Sequence, residues 1–130
     1  MNKDSVVPFQ EIKDALNKFR DDRNWKIYHT PKNLGAVVST ESAELMELFL
    51  WQTDEAILAR FKNDDFYASC VKDEMADVIN ATLCLANILD IDIASSILAK
   101  IAKNEKKYPI QEALDDKNAD RYLQLKLNKK

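Results

Sequence analysis

Two pairs of acidic residues interrupt two segments that are otherwise apolar at helical spacing. The pairs are Glu41 with Glu44 and Glu74 with Asp77, and two acids three positions apart project from one side of a helix. A carboxylate that faces a protein core is unfavourable unless a partner neutralises it. Two such helices packed together would direct four acids at one place, and a bound divalent cation is the simplest neutraliser of that charge.

The apolar neighbours of these acids, rather than the spacing alone, single out the two pairs. Glu11 and Asp14 have the same spacing, but they lie opposite an apolar stripe and are typical of solvated surface charge. The two chosen pairs lie within apolar stripes instead. At helical period these stripes are Leu34, Val37, Glu41, Glu44, Leu48 and Trp51, and Tyr67, Cys70, Glu74, Asp77, Ala81 and Cys84.

The composition is that of a single soluble globular domain. The chain has 130 residues, of which 46% are hydrophobic and 32% charged, and its net charge is −3. Neither a basic surface for nucleic acid nor a polybasic patch for a membrane is therefore expected. The N-terminal segment lacks a signal-peptide apolar region, and no apolar run approaches the length of a membrane span. These features predict a cytoplasmic protein.

Helical periodicity, few alternating β-branched runs and a single glycine, Gly35, predict an all-α bundle of four main helices. Asp4 or Ser5 is the predicted cap of the first helix and Asp92 of the last, which Pro109 stops. The predicted helices cover approximately residues 7–24, 32–52, 65–89 and 92–108.

The remaining segments complete the predicted organisation. Residues 53–65 connect the second and third helices and have room for a short helix. Residues 1–110 form the predicted domain, and residues 111–130 form a charged tail that is either a short docked helix or mobile. Cys70 and Cys84 lie on one predicted helix about 21 Å apart, which excludes a disulfide between them. They are interpreted as reduced core residues or, less strongly, as thiols near the site.

The aromatic residues near the acids have two interpretations each. His29, the only histidine, follows Trp25 and Tyr28 in a loop that either packs onto the bundle or forms a pocket wall for a planar ligand. Trp51 ends the first acid-bearing stripe and is either a core anchor or a surface on which a base stacks.

Several polar residues are further candidates for the site. Lys100, Asn104 and Lys107 share one face of the last helix, which is either solvated or a phosphate-neutralising edge. Glu47, one step beyond the first acid pair, is either a supporting acid or surface charge. Asn80, one turn beyond the second pair, can hydrogen-bond a ligand or an acid.

Other kinds of chemistry lack their motifs. The chain has no nucleophile-elbow sequence and no motif that links its histidine to a serine or cysteine. A di-iron bundle needs two Glu-x-x-His pairs, and the chain has none. A single glycine excludes a glycine-rich phosphate loop, so any phosphate chemistry must depend on a metal and on side chains.

Four motifs in order resemble the MazG-like, all-α nucleoside triphosphate pyrophosphohydrolases, and most closely their dCTP pyrophosphatase-like branch. The aromatic loop spans residues 23–34, the two metal helices contain residues 41–51 and 74–78, and a closing basic segment spans residues 100–109. The resemblance covers approximately residues 8–110. One position departs from the pattern, because Ala81 stands where the family carries a tyrosine.

The resemblance implies a helical bundle that assembles as a homodimer or a dimer of dimers. It also implies a nucleoside triphosphate substrate, with a dCTP-like pyrimidine preferred, that is cleaved to the monophosphate and pyrophosphate. The implied site residues are Glu41, Glu44, Glu74 and Asp77 for Mg²⁺, Trp25, His29 and Trp51 for the base, and Lys100, Asn104 and Lys107 for the phosphates.

The chemistry of a triphosphate beside acids predicts further roles. One acid acts as the base for the attacking water, with Glu44 or Glu47 as the candidates, and lysines offset charge on the leaving pyrophosphate. Two other functions stay open: a non-catalytic nucleotide- or metal-binding bundle, and a structural oligomer whose acids pair with lysines across an interface. The presence of all four acids favours catalysis over the first, and their position in apolar stripes disfavours the second.

Overall fold

The computed structural model of the protein describes residues 3–110, which contain five α-helices and no strand. The all-α prediction is therefore confirmed, and the connector between the second and third predicted helices holds a helix of its own. The predicted tail, residues 111–130, lies outside the described residues. The helices are α1 (Phe9–Asp22), α2 (Pro31–Glu47), α3 (Asp54–Asn63), α4 (Asp65–Ile88) and α5 (Ile93–Lys107).

The chain divides into two compact units, Met1–Ile93 and Ala94–Lys130. The first unit contains α1 to α4. The second is described as far as Ile110 and contains α5, whose last turn carries basic residues that interact favourably with the helix dipole. Among residues 3–110 no single helix is long and apolar enough to cross a membrane, although α4 and α5, taken as a broken pair, meet the same test of length and composition.

Side-chain caps fix where α2, α3 and α4 begin. Thr30, Thr53 and Asp64 each accept a hydrogen bond from the backbone N–H three residues further on, at 3.2, 3.3 and 3.0 Å. Such caps satisfy backbone N–H groups that have no partner within the helix. In α2 the cap is followed by Pro31, whose fixed φ suits the first helical position.

The start of α1 differs from the prediction. Pro8 occupies the N-cap position in an extended conformation, with ψ 153°, and makes no side-chain capping hydrogen bond. Lys3–Ser5 form a separate 3₁₀ turn before it. The predicted capping of α1 by Asp4 or Ser5 is therefore wrong, because the chain leaves helical geometry between these residues and Phe9.

The end of α2 also differs from the prediction, since the helix stops at Glu47 rather than at Gln52. In a longer helix the Leu48 carbonyl would bond to the backbone N–H of Gln52. It accepts instead from the Gln52 side-chain amide at 2.7 Å and from the Tyr67 hydroxyl at 2.9 Å. Trp51 follows with a left-handed φ of 63°, so the chain turns and Trp51 leaves the stripe predicted for it.

Helix α4 is the centre of the first unit and contributes most of its buried apolar residues. Helices α1, α2 and α3 all pack against it. The contact with α1 is polar at one point, where the Asn87 side-chain amide donates to the Lys13 carbonyl at 3.0 Å and to the Asn17 side chain at 3.1 Å. The buried apolar residues are Leu34 of α2 and Tyr67, Ala68, Val71, Ala81, Leu83 and Ala86 of α4. The packing of α2 along α4 brings the two acid-bearing helices together.

Candidate metal and nucleotide site

Helices α2 and α4 bring three of the predicted metal ligands together, which we call the acid cluster. One carboxylate oxygen from each of Glu41, Glu44 and Glu74 lies within 4.8 Å of the other two. Oxygens bound to one Mg²⁺ at about 2.1 Å lie at most about 4.2 Å apart. Small side-chain movements would therefore let all three carboxylates ligate one ion.

Burial and the repulsion of nearby acids make ionisation of Glu41 and Glu74 unfavourable. Burial raises the pKa of Glu41, and the other acids of the cluster together with Asp77 raise it further. Burial also raises the pKa of Glu74, as do four nearby acids, of which Glu44 acts most strongly. A cation at the cluster would reverse these shifts, because it favours the charged form of each carboxyl group.

One buried oxygen of the cluster has no hydrogen-bond partner in the described part of the chain. Glu74 Oε2 is buried and makes no hydrogen bond with any of residues 3–110. A buried polar atom left unpaired costs the free energy of removing it from water, and a bound cation is the simplest partner for it. All the candidate donors are carboxylate oxygens, which hard cations such as Mg²⁺ prefer. The residues present therefore fit a divalent metal ion.

The fourth predicted ligand and the candidate base lie at the edge of the cluster. Asp77 is outside the group of three, but its charge raises the pKa of both Glu41 and Glu74. Glu47 lies on the last turn of α2, and its charge also raises the pKa of Glu74. Both acids therefore contribute to the same negative field, while their individual roles stay predictions.

A cavity of about 470 Å³, which we call the aromatic pocket, adjoins the acid cluster. Glu41 of the acid cluster lines the pocket. Asp77, which lies outside the cluster, lines it too. Three residues predicted to contact a nucleotide line it too, namely Trp25, His29 and Asn80. A volume of this size lies within the range of about 300–1,000 Å³ typical of small-molecule sites. The structure thus places a mostly apolar pocket directly beside a candidate cation site.

The loop between α1 and α2 forms the aromatic wall of this pocket. Asn24 adopts a left-handed φ of 55°, which reverses the chain after α1. Trp25 then meets Phe19 edge to face, with ring centroids 5.9 Å apart. The Asn33 side chain of α2 donates to the Tyr28 carbonyl at 3.0 Å and ties the loop to the helix.

His29 lines the pocket, and its pKa is lowered, which favours the neutral imidazole. It is half-buried, and burial, followed by the charge of Arg20, lowers its pKa, while Asp21 opposes this shift. Arg20 is itself buried, with 8% exposure, and its Nε donates to Asp21 at 2.7 Å. A neutral imidazole offers one hydrogen-bond donor and one acceptor, so His29 can pair with the edge of a planar ligand.

Trp51 lies apart from the aromatic pocket. It is 99% exposed and lines a second cavity of about 480 Å³ together with Arg60 and Phe66. Its predicted position at the end of the acid-bearing stripe is wrong, because α2 ends at Glu47 and the turn that follows redirects the chain. Its role in binding a base stays a prediction.

The predicted phosphate-binding residues belong to the second unit. Lys100, Asn104 and Lys107 all lie on α5, as expected. Lys100 is exposed, whereas Asn104 and Lys107 are half-buried. The Lys107 ammonium lies 5.1 Å from the centre of the Tyr108 ring. Their contact with a triphosphate stays a prediction.

Several residues that line the pocket have no sequence pattern that predicts a role in the site. Leu16 and Phe19 line the aromatic pocket, but in the sequence they belong only to the apolar stripe of α1 that lies opposite Glu11 and Asp14. Tyr28 and Asn33 also line it, and their proximity to His29 is the signal that could have identified them. Cys84 lines it as well, which agrees with its weaker interpretation as a thiol near the site.

Known proteins similar to this chain include nucleotide pyrophosphatases. A sequence model of the MazG-like family matches residues 36–123. A dCTP pyrophosphatase 1 from Bos taurus is 28% identical over 106 residues, covering 82% of this chain and 62% of the bovine protein. The Homo sapiens dCTP pyrophosphatase 1 is 29% identical over 100 residues, covering 77% of this chain and 58% of the human protein. The chain therefore spans about three fifths of the length of these relatives.

A solved structure is also similar. The crystal structure of a pyrophosphatase from Archaeoglobus fulgidus superposes with a TM-score of 0.71 at 38% sequence identity. The match covers 77% of this chain and 91% of that one.

Proposed function

The chain belongs to the MazG-like family, and we propose that it is a Mg²⁺-dependent nucleoside triphosphate pyrophosphohydrolase. The observation that carries this proposal is the position of Glu41, which belongs to the acid cluster and lines the aromatic pocket as well. A base in the pocket would have its triphosphate next to the carboxylates. The similarity to two mammalian dCTP pyrophosphatases supports the same reaction.

The proposed metal ligands are the acid cluster and Asp77. Their donors are carboxylate oxygens, and a bound cation would pair with Glu74 Oε2, which has no hydrogen-bond partner among residues 3–110. When bound there, Mg²⁺ supplies charge neutralisation and Lewis-acid polarisation of the phosphoryl oxygens. The carboxylates hold that charge in place and set where the triphosphate lies relative to the pocket.

The protein side chains would divide the remaining work. Glu44 or Glu47 accepts the proton of the attacking water. Glu44 belongs to the cluster, and Glu47 borders it. Lys100, Asn104 and Lys107 bind the phosphates and offset the charge on the leaving pyrophosphate. The products are the nucleoside monophosphate and pyrophosphate.

The aromatic pocket would supply base recognition. Trp25 stacks on the base, and an aromatic contact of this kind is worth about 1–3 kcal/mol for any base. Selection must therefore come from hydrogen bonds to the base edge. His29 and Asn80, which both line the pocket, would make these hydrogen bonds. We propose dCTP or a closely related pyrimidine as the best substrate.

Assembly as a homo-oligomer is part of the proposal. In the described part of the chain, large apolar side chains are exposed on α2, α3 and α4, including Met46 (54%), Leu58 (70%), Phe66 (78%) and Met75 (50%). Exposed apolar surface of this kind is typical of protein interfaces. A dimer or a dimer of dimers would cover it. Light scattering at micromolar concentration should give at least twice the chain mass, and a monomer would contradict this.

A substrate screen tests the proposed function directly. The purified protein is incubated with each dNTP and NTP, with and without Mg²⁺, and pyrophosphate release is measured. We expect release only with Mg²⁺ and the highest kcat/KM for dCTP. Higher kcat/KM for purines would overturn the pyrimidine assignment alone. Metal-dependent nucleotide binding without turnover would instead support the alternative, a non-catalytic nucleotide-binding bundle.

A further inference from the structure

The guanidinium of Arg23 lies close to two aromatic rings that line the pocket. Its guanidinium carbon lies 3.5 Å from the centre of the Phe19 ring and 6.0 Å from that of Trp25. Both rings line the aromatic pocket. Arg23 itself does not line the pocket and is exposed to solvent. Arg23 therefore contacts the pocket wall without lining the pocket itself.

The local backbone holds Arg23 in this position. Arg23 is the C-cap of α1, and its Nη1 donates to the Phe19 carbonyl at 3.0 Å, within the same helix turn. Asn24 then turns the chain in a left-handed conformation, so that Trp25 returns edge-on to Phe19. One guanidinium thereby joins both rings and the end of the helix.

We propose that Arg23 is a positioning residue that fixes the Phe19–Trp25 wall in the orientation that a planar base requires. The inference rests on the proposed function, because it assigns the base to the aromatic pocket. Phe19 is 48% exposed and Trp25 is 44% exposed even with Arg23 in place, so the core holds neither ring on all sides. The guanidinium lies over the Phe19 ring and limits the motion of the two rings before substrate binds.

The chemistry of arginine suits this role better than that of lysine. A guanidinium is planar, stacks on an aromatic face and still has N–H groups free for a backbone carbonyl. A lysine ammonium keeps the charge but can neither stack nor make the same fork of hydrogen bonds. A residue that acted on the triphosphate only through its charge would tolerate this replacement, whereas a positioning residue would not.

Steady-state kinetics with dCTP and dTTP distinguish these cases. The variants are Arg23→Lys and Arg23→Gln, with Lys18→Gln as the matched control. Lys18 also carries a positive charge on the last turns of α1, but it pairs with Asp22 and lies outside the aromatic stack. We expect both Arg23 variants to raise KM by about 2- to 5-fold for both nucleotides, with kcat unchanged, because both lose the planar guanidinium that stacks on Phe19. We expect the control to match the parent.

A double variant shows whether Arg23 acts through the ring it stacks on. In a Phe19→Leu background, Arg23→Lys should cause no further rise in KM, since the contact is already lost. Additive effects of the two substitutions on KM would overturn the proposal. So would a parental KM in the Arg23→Lys single variant, because only a charge effect would then remain.

A spectroscopic measurement separates this proposal from the proposed function. The chain has two tryptophans, so a Trp51→Phe background reports Trp25 fluorescence alone. In that background without nucleotide, we expect Arg23→Lys to lower the time-resolved anisotropy of Trp25 and Lys18→Gln to leave it unchanged. Equal anisotropy in all three proteins would refute the positioning role. A protein that turns over no nucleotide would refute the proposed function while this measurement still decides the role of Arg23.

Discussion

Replacing Glu74 with glutamine tests the acid cluster with little change in shape. Glutamine keeps the side-chain length, removes one of three charges whose oxygens lie within 4.8 Å, and brings an amide that donates to the carboxylates of Glu41 and Glu44. The unpaired atom at the Glu74 Oε2 position thereby gains partners. In the absence of divalent metal we therefore expect Glu74→Gln to unfold at a higher temperature than the parent.

Added Mg²⁺ should reverse the order of the two unfolding temperatures, so that the parent unfolds at a higher temperature than Glu74→Gln. A ligand at 100 times its Kd stabilises the folded parent by about 2.7 kcal/mol, which raises the Tm of a chain of this size by roughly 8–11 °C. The variant loses a charged oxygen ligand, and a tenfold weaker Kd at the same Mg²⁺ concentration roughly halves that rise. The assay is a thermal melt with EDTA and across a Mg²⁺ titration.

The direction in which pH changes the stability of the metal-free protein follows from the pKa shifts of Glu41 and Glu74. The pKa values of Glu41 and Glu74 are raised in the folded chain, mainly by burial. Between the ordinary glutamate range and these raised values, the folded state binds more protons than the unfolded state, so its stability falls as pH rises through that window. The loss should be smaller in Glu74→Gln, which has one fewer carboxyl group to ionise.

A surface glutamate supplies the control for these measurements. Glu11 is exposed on α1, and Glu11→Gln should melt like the parent with and without Mg²⁺. If Glu74→Gln showed the full Mg²⁺-dependent rise in Tm with the parental midpoint, or melted below the parent in EDTA, the reasoning about the cluster would be wrong.

Three further predictions concern other parts of the chain. Tyr67→Phe removes the hydroxyl that donates to Leu48 and should lower the free energy of unfolding by about 0.5–1.5 kcal/mol in urea melts; an unchanged midpoint would contradict the account of how α2 ends. Lys100→Ala should raise the KM for nucleotide while Mg²⁺ affinity, measured by calorimetry, stays the same; equal losses would indicate a structural role. His29→Ala should narrow the differences in kcat/KM between bases, and an unchanged ranking would remove His29 from base selection.

The sequence predicts that the acids converge because two patterns agree, the spacing of each acid pair and the apolar stripe around it. Each pair interrupts an apolar stripe, and apolar stripes pack against each other, so all four acids are expected to converge if α2 and α4 are neighbours. Glu41, Glu44 and Glu74 do converge, whereas Asp77 lies outside that group. Helical periodicity likewise predicts the four main helices, and the helix α3 lies in the connector where the sequence left room for a short helix. Local patterns of this kind depend only on residues close in sequence.

The end of α2 depends on residues far apart in sequence and could not be predicted. The Leu48 carbonyl is bonded by Tyr67 of α4, a contact that no helical pattern around residue 48 encodes. The displacement of Trp51 follows from it. The stack of Arg23 on Phe19 and Trp25 likewise depends on the left-handed turn at Asn24, which asparagine permits but does not require.

Product analysis tests the central claim most directly. Purified protein is incubated with dCTP and Mg²⁺, and the phosphorus-containing products are quantified by ³¹P NMR, beside a metal-free sample and a Glu44→Gln sample. The account predicts dCMP and pyrophosphate in equal amounts, formed only by the parent with Mg²⁺. Formation of dCDP and inorganic phosphate, or equal turnover by Glu44→Gln, would contradict it.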